Sequence, residues 1–252
     1  GGTDHEFMRA IGVPGFQFIQ DPLDYDSRTH LTSIDTFDHL KGEDMRQASV
    51  VLARVLLSAV NADVVGLMEI QNNGDTAVSY LVEQLNGAMG AGTYAVVPKP
   101  AALGTDAIRV AMIYKPKAVS LVGGALSDGD VVNNRAPIAQ TFKAANGAKF
   151  SLVVNHLKSK GGCGGARGGD VDSGDGQGCW NESRVEQAAR LRDYFLPQVV
   201  AAANDPDVLV VGDMNAYGME DPIRLLNAAG YINEIERHVR PQGIPYSYVF
   251  GA

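Results

Sequence analysis

Cysteine is nearly missing from this sequence: Cys163 and Cys179 are the only two in 252 residues. A disulfide-framework fold is excluded by that count, and so is a zinc site made of thiolates alone, which needs about four ligands. No stretch approaches the roughly 20 uninterrupted apolar residues of a spanning helix. Residues 1–10 have neither the basic nor the apolar segment of a secretory signal, so any signal belongs upstream. Internal repeats are absent, and so is a linker long enough to separate two domains; one domain over 1–252 is expected. Positive charge is also short, with 21 basic residues against 29 acidic and a net charge of -8. Such a chain repels polyanions at long range, which counts against a nucleic-acid packaging or regulatory protein. An enzyme that meets phosphates through a bound cation tolerates it, because the metal reverses the local field.

What is present suits a substantial core: 45% of side chains are hydrophobic and 20% charged. Four short apolar runs read as buried strands, at 63–69, 108–114, 150–156 and 208–213, each ending in polar residues. Helical periodicity marks 44–60, 76–89, 182–203 and 222–229, and the alternation argues for α/β layers. Asn181 is placed to N-cap the third helix, and Asp221 followed by Pro222 to open the fourth. Residues 1–42 read as a long loop or arm. The glycine-rich 161–178 reads as an excursion beyond the sheet edge, stapled by the cysteine pair. Closing that loop contributes on the order of 3 kcal/mol in the chain-entropy model, and a disulfide points to an oxidising compartment.

Three of the strand runs end in a residue able to bind metal or move protons: Glu69, His156 and Asp213, with Asn215 just beyond. Strand ends in layered α/β folds open onto a shared crevice, where residues distant in sequence meet around one ligand. Singly, each is an ordinary strand-terminal polar residue of the kind that caps a helix or bonds a turn.

With their flanks, these segments resemble the endonuclease/exonuclease/phosphatase superfamily, in its secreted bacterial nuclease branch. The resemblance rests on Val64-Val65-Gly66-Leu67-Met68-Glu69-Ile70-Gln71-Asn72-Asn73, on Ile108-Arg109-Val110-Ala111-Met112, on Asn155-His156-Leu157-Lys158-Ser159, and above all on Gly212-Asp213-Met214-Asn215. Gly176-Gln177-Gly178-Cys179-Trp180-Asn181 and Tyr246-Ser247-Tyr248-Val249-Phe250 resemble the secreted branch. The implied fold is DNase I-like, an α/β four-layer sandwich of two packed mixed sheets flanked by helices. The implied activity is metal-dependent hydrolysis of nucleic acid, with DNA as the first substrate and RNA as the second, outside the cell or in the periplasm.

Phosphodiester hydrolysis needs a cation, an oriented water and a donor to the leaving group. Glu69 offers the hard carboxylate oxygen that Mg²⁺ or Mn²⁺ prefers. Asp213 would orient or deprotonate the water, Asn215 would position a phosphoryl oxygen, and His156 would donate to one or protonate the leaving group. Arg109 either grips a phosphate or forms a structural ion pair. Asn72 and Asn73 either contact substrate or shape the turn before Gly74. Lys158 and Lys160 either meet the nucleic-acid backbone or are solvated. Asp170, Asp172 and Asp175 admit a structural Ca²⁺ site or a solvated acidic loop, and their spacing is not that of an EF-hand.

Two departures stand against the resemblance. The family's first strand carries an asparagine, and none precedes Asn61, leaving Gln20 within 16–20 as the nearest substitute. The family's closing Asp-His pair is also missing, as the sequence stops at Ala252. The alternatives are a phosphomonoesterase or phospholipid phosphodiesterase of the same fold, and a catalytically incomplete binding module. Thiol titration of the denatured, unreduced protein is expected to find no reactive thiol; two would remove the cysteine argument for secretion.

Overall fold

The computed structural model describes residues 61–238 continuously, with Ala53, 56–58, Val60 and 240–242 besides. The chain divides into two compact units, 1–61 and 62–252. Of the first unit, Ala53, 56–58 and Val60 are helical, and Asn61 N–H donates to the Leu57 carbonyl at 2.8 Å. The rest of the helix expected over 44–60, the 1–42 arm, Gln20 and the 246–250 segment lie outside the described residues.

The second unit is built from two sheets. Strands β1 (Val64–Gln71), β2 (Ala95–Val96) and β3 (Ile108–Tyr114) form an antiparallel sheet in the order β1-β3-β2. Strands β4 (Val119–Ser127), β5 (Ile138–Ala144), β6 (Lys149–His156) and β7 (Val208–Asp213) form the other in that order, antiparallel except for the β6-β7 pair. Among the described residues the mixed character therefore belongs to the second sheet alone.

Alternation decides which side each residue faces. Leu152 and Val154 of β6, with Ile138 and Phe142 of β5, pack against Val110 and Met112 of β3. Val153 and Ala139, one residue out of step, meet helices instead. Those helices are α2 (Asn181–Arg190), a π-helical turn at Leu191–Phe195, α3 (Leu196–Ala203) and α4 (Asp221–Ala228). They supply Leu191, Phe195, Leu196, Val199 and Leu226 to that second core. On the far side α1 (Thr76–Met89) buries Val78, Val82 and Leu85 beside β1 and β2. The result is the helix–sheet–sheet–helix sandwich expected. No helix among the described residues is long and apolar enough to cross a membrane.

β4 and β5 went unread because neither is an apolar run. β4 is broken by Gly123 and Gly124, where its pairing slips between Val122 and Leu126. β5 carries Gln140, whose buried amide donates to the Val122 carbonyl at 3.2 Å across that irregularity. The expected 182–203 helix is a single helical path, interrupted by the π turn just ahead of Pro197. A proline there has no N–H for the carbonyl one turn back, and a wider turn accommodates the gap.

Asn181 is not the N-cap but the first residue of α2, and its amide donates to Asp221 at 3.0 Å. The capping is done from outside the helix: Asp170 accepts Ser183 N–H at 2.8 Å and its hydroxyl at 2.6 Å. Pro222 does occupy the first turn of α4, after Glu220. The glycine-rich loop is two short 3₁₀ turns, Cys163–Gly165 and Gly168–Asp170, with the Cys163–Cys179 disulfide across it.

Two glycines let the sheets close around the strand ends. A Cβ on Gly66 would stand 2.8 Å from Val154 Cγ2, so β1 approaches β6 only without one. At Gly212, φ is 130° and a Cβ would lie 1.9 Å from the Asn155 carbonyl oxygen. Gly212→Ala is expected to destabilise by about 3 kcal/mol or more, from overlap and backbone strain together. Urea unfolding would show this as a lowered midpoint at unchanged slope; an unchanged midpoint would refute the packing described.

Candidate active site

The parallel pairing of β6 with β7 sets Asn155 beside Gly212 and His156 beside Asp213. Past the strand ends the two segments stay joined: Leu157 N–H donates to the Asp213 carbonyl, and Asn215 Nδ2 to the Leu157 carbonyl, each at 3.0 Å. Asp213 Oδ1 accepts Asn215 N–H at 2.8 Å, closing a turn in which Asn215 has φ 46°. Asparagine tolerates that left-handed conformation better than most residues. His156 Nε2 stands 3.8 Å from Asp213 Oδ2, an electrostatic neighbour rather than a hydrogen bond.

Glu69 enters from the other sheet. The β1 register breaks between Leu67 and Ile70, and Glu69, at φ 58°, is the residue that absorbs the break. Such an irregularity re-aims a side chain at a strand end. Asn72 fastens the following loop by donating to the carbonyls of Gly104 at 3.2 Å and Asp106 at 2.9 Å. Gly104, at φ 85°, in turn lies so close to the 134–136 backbone that a Cβ would be 2.8 Å from Asn134 O.

At the junction of these segments is Arg135, 9% exposed. Its Nε donates to the His156 carbonyl at 3.2 Å and its Nη2 to the Leu157 carbonyl at 2.7 Å, while Nη1 stands 3.6 Å from Asp106. Burial lowers its pKa, and Asp106, Asp213 and Glu69 oppose that shift. Buried Gln187 of α2 braces the same place, accepting Lys158 N–H at 2.8 Å and donating to the Val132 carbonyl at 2.9 Å.

His156 is buried, and burial first, then the Arg135 cation, hold its pKa below the ordinary 6.5 against the pull of Asp213, Glu69 and Asp106. Its Nδ1 is buried without a hydrogen-bond partner. At neutral pH the imidazole is uncharged, with one nitrogen to donate and one to accept.

The structure thus brings Glu69, His156, Asp213 and Asn215 to one end of the sandwich, together with Asp106 and Arg135. Sequence reasoning missed the last two. Neither ends an apolar run; Arg135 precedes β5, itself unread, and only its position before Ala136-Pro137, at the mouth of a buried segment, marks it.

Three expected substrate contacts are otherwise engaged. Arg109 realises the ion-pair alternative: buried, it pairs with Asp75 at 2.9 Å and donates to the Gly74 carbonyl at 2.6 Å, tying β3 to the start of α1. Asn73 shapes the turn, accepting Ala77 N–H at 3.0 Å in the first turn of α1 and donating to Gln71 at 3.1 Å. Lys158 places its ammonium 4.4 Å from the Trp180 ring centroid, a cation–π contact at the rim. Lys160 is buried against Glu220 rather than solvated. In the disulfide loop Asp170 caps α2, Asp172 accepts Gly174 N–H at 2.9 Å, and Asp175 accepts Gln177 N–H at 3.0 Å, so each acid named for calcium serves a local turn or cap.

No group of three His, Cys, Asp or Glu side chains converges as a ready-made metal cage among the described residues. The donor set fits a hard divalent cation nonetheless, since such an ion can take one or two carboxylates and keep waters and substrate oxygens for the rest. Glu69, exposed and re-aimed by its strand break, would hold the ion, with half-exposed Asp213 on the other sheet.

The chain belongs to the Endonuclease/Exonuclease/phosphatase family, whose sequence profile matches residues 39–251. No curated protein matches it significantly. Among solved structures it is similar to the human Nocturnin catalytic domain with bound sulfate, at 21% identity and TM-score 0.46, covering 71% of this chain and 60% of that one. It is similar also to ANGEL2, described as a 2',3'-cyclic phosphatase, at 15% identity and TM-score 0.49, covering 71% and 47%. A third is D. rerio TDP2 humanised by 14 mutations, at 13% identity and TM-score 0.48, covering 80% and 74%. The chain spans about half to three quarters of the length of these proteins.

His156 gives a titration with a defined sign. Between its lowered folded pKa and the unfolded value near 6.5, the unfolded chain binds the extra proton, so this stability contribution is complete above about 6.5 and is lost as pH falls through that window. In the metal-free protein its NMR midpoint is expected below 6.5, moving upward in Arg135→Gln; a midpoint at or above 6.5 would contradict the geometry.

Proposed function

We propose that this protein is a divalent-metal-dependent phosphodiesterase, an extracellular or periplasmic endonuclease that hydrolyses DNA and accepts RNA. The observation that carries the reading is the meeting of Glu69, His156 and Asp213, from three strands and two sheets, around the buried Arg135 cation. Family membership supports the phosphoester chemistry. The disulfide supports export to an oxidising compartment.

A bound Mg²⁺ or Mn²⁺ would supply positive charge to the phosphoryl and leaving oxygens. The protein's own groups do the remaining work. Asp213, with one oxygen accepting Asn215 N–H and half its surface in solvent, is positioned to orient a water and take its proton. His156, neutral at working pH, offers a single N–H to a phosphoryl oxygen, where a charged imidazole would be costly beside Arg135. Asn215 holds the β6 and β7 exits together, keeping His156 and Asp213 at a constant separation. Arg135 fixes the backbone beneath His156 and balances the three carboxylates.

The test is cleavage of plasmid DNA with Mg²⁺, Mn²⁺ or Ca²⁺, with and without EDTA, for the parent protein and for Glu69→Ala and Asp213→Ala. Each substitution is expected to lower the rate by on the order of 10²- to 10⁴-fold. Undiminished cleavage in both variants would reject the site. Hydrolysis of inositol phosphates or sphingomyelin in place of DNA would move the protein to another branch of the family.

A further inference from the structure

The segment leaving β7 carries, two residues beyond Asn215, an aromatic side chain that the chemistry above does not use. Tyr217 is 42% exposed, although the Lys160 ammonium sits 4.2 Å from its ring centroid. Lys160 is only 7% exposed, and it is ion-paired with the buried carboxylate of Glu220. The ammonium is thus locked by its own partner against one face of the ring, which fixes the plane of the ring and removes much of the freedom an exposed tyrosine would lose on binding. Trp180, another ring beneath a lysine, is used differently. Its indole N–H donates to the Gly161 carbonyl at 2.9 Å and a Cβ on Gly165 would stand 3.5 Å from its ring, so it anchors the disulfide loop.

The path from Tyr217 to the reacting groups is short. The β6 and β7 exits run side by side, linked first by Leu157 to Asp213, then by Asn215 to Leu157, then by Lys160 to Tyr217. Tyr217 thus lies on the segment that leaves Asp213, two residues past Asn215, and its ring meets the neighbouring segment that leaves His156.

We propose that Tyr217 is a stacking subsite for a nucleobase next to the scissile phosphodiester, and that it favours strands whose bases are unpaired. The inference rests on the phosphodiesterase reading of the site. Charge argues for a contact of this kind. The protein carries a net charge of -8, Lys160 is engaged by Glu220, and Arg135 is engaged by two carbonyls and Asp106. The net charge gives long-range attraction little part beyond the bound cation and Lys158, which leaves room for short-range contact with the bases. Stacking on an aromatic ring does so without regard to sequence, because every base has a π face. In a duplex both faces of a base are covered by its neighbours, so only an unpaired or extruded base reaches the ring.

The experiment uses the intact chain in an Asp213→Ala background with Mg²⁺, so that strands are bound without being cut. Fluorescence anisotropy compares a labelled 12-nucleotide oligothymidylate with an abasic phosphodiester strand of the same length and charge. The oligothymidylate is expected to bind about tenfold more tightly. Adding Tyr217→Ala is expected to abolish that ratio while leaving the abasic strand's Kd unchanged, and Tyr217→Trp to retain it. Tyr217→Leu, which keeps apolar bulk without a π face, is expected to behave like alanine. A ratio that survives Tyr217→Ala and Tyr217→Leu, or no preference in the parent, overturns the subsite and leaves the phosphodiesterase reading standing. Failure to bind either strand overturns the nucleic-acid reading and the subsite with it.

Discussion

The site depends on one buried cation. Arg135 has little contact with water, and an unpaired charge in that position would cost several kcal/mol. It is sustained by the carbonyls of His156 and Leu157 and by the carboxylates of Asp106, Asp213 and Glu69 around it. The dependence is mutual. Without the guanidinium, three carboxylates would face each other across a cleft, and the backbone beneath His156 would lose the two donors that hold it. With it, and with burial as the larger cause, the imidazole pKa is held below its ordinary value.

Around this centre the protein uses hydrogen bonds from amides and carbonyls where many folds use apolar packing. Asn72 ties the loop after β1 to the loop before β3, Gln187 ties α2 to the β6 exit, and Arg184 reaches the carbonyls of Cys179 and Gln177. Each of these side chains is buried or half-buried, so each bond is expensive to lose and the segments it joins are held in one arrangement. The disulfide belongs to the same system: it closes the loop whose far end, Cys179, supplies a carbonyl to Arg184.

Much of this was legible from residue order, and the rest was hidden for definable reasons. β3, α1 and the strand end at His156 follow from apolar patterning that reports burial, whereas β1 and β7, also expected to be buried strands, form at the expected places but lie at the edges of the described sheets with no buried residue. β4 and β5 escaped because their inward residues are interleaved with Gly123, Gly124, Gln140 and Thr141, and because a slipped register breaks the two-residue period. Arg109 misled for the opposite reason: a charged residue in an apolar strand attracts a functional reading, yet its partner, Asp75, is 34 residues away in sequence and comes into reach only once α1 has docked. Asp106 and Arg135 share that property. Their meaning is relational, set by which loops the two sheets bring together, and no local pattern encodes it.

The wide turn between α2 and α3 has a consequence for how the helical layer is phased. Arg184, Ala188, Leu191, Phe195, Val199 and Ala203 are all buried, and they recur at intervals of four, three, four, four and four residues. An unbroken helix at 3.6 residues per turn would drift by about a quarter turn over that span, rolling one end away from the sheet. The extra residue accommodated at Leu191–Phe195 absorbs the drift. One rod can therefore present a polar underside, Arg184 and Gln187, to the end of the sandwich where β6 and β7 exit and an oily underside, Phe195 and Val199, to the middle of the sheet, with both in phase. Removing a single residue there would act as a gear slipped by one tooth, turning either the bracing amides or the core out toward water.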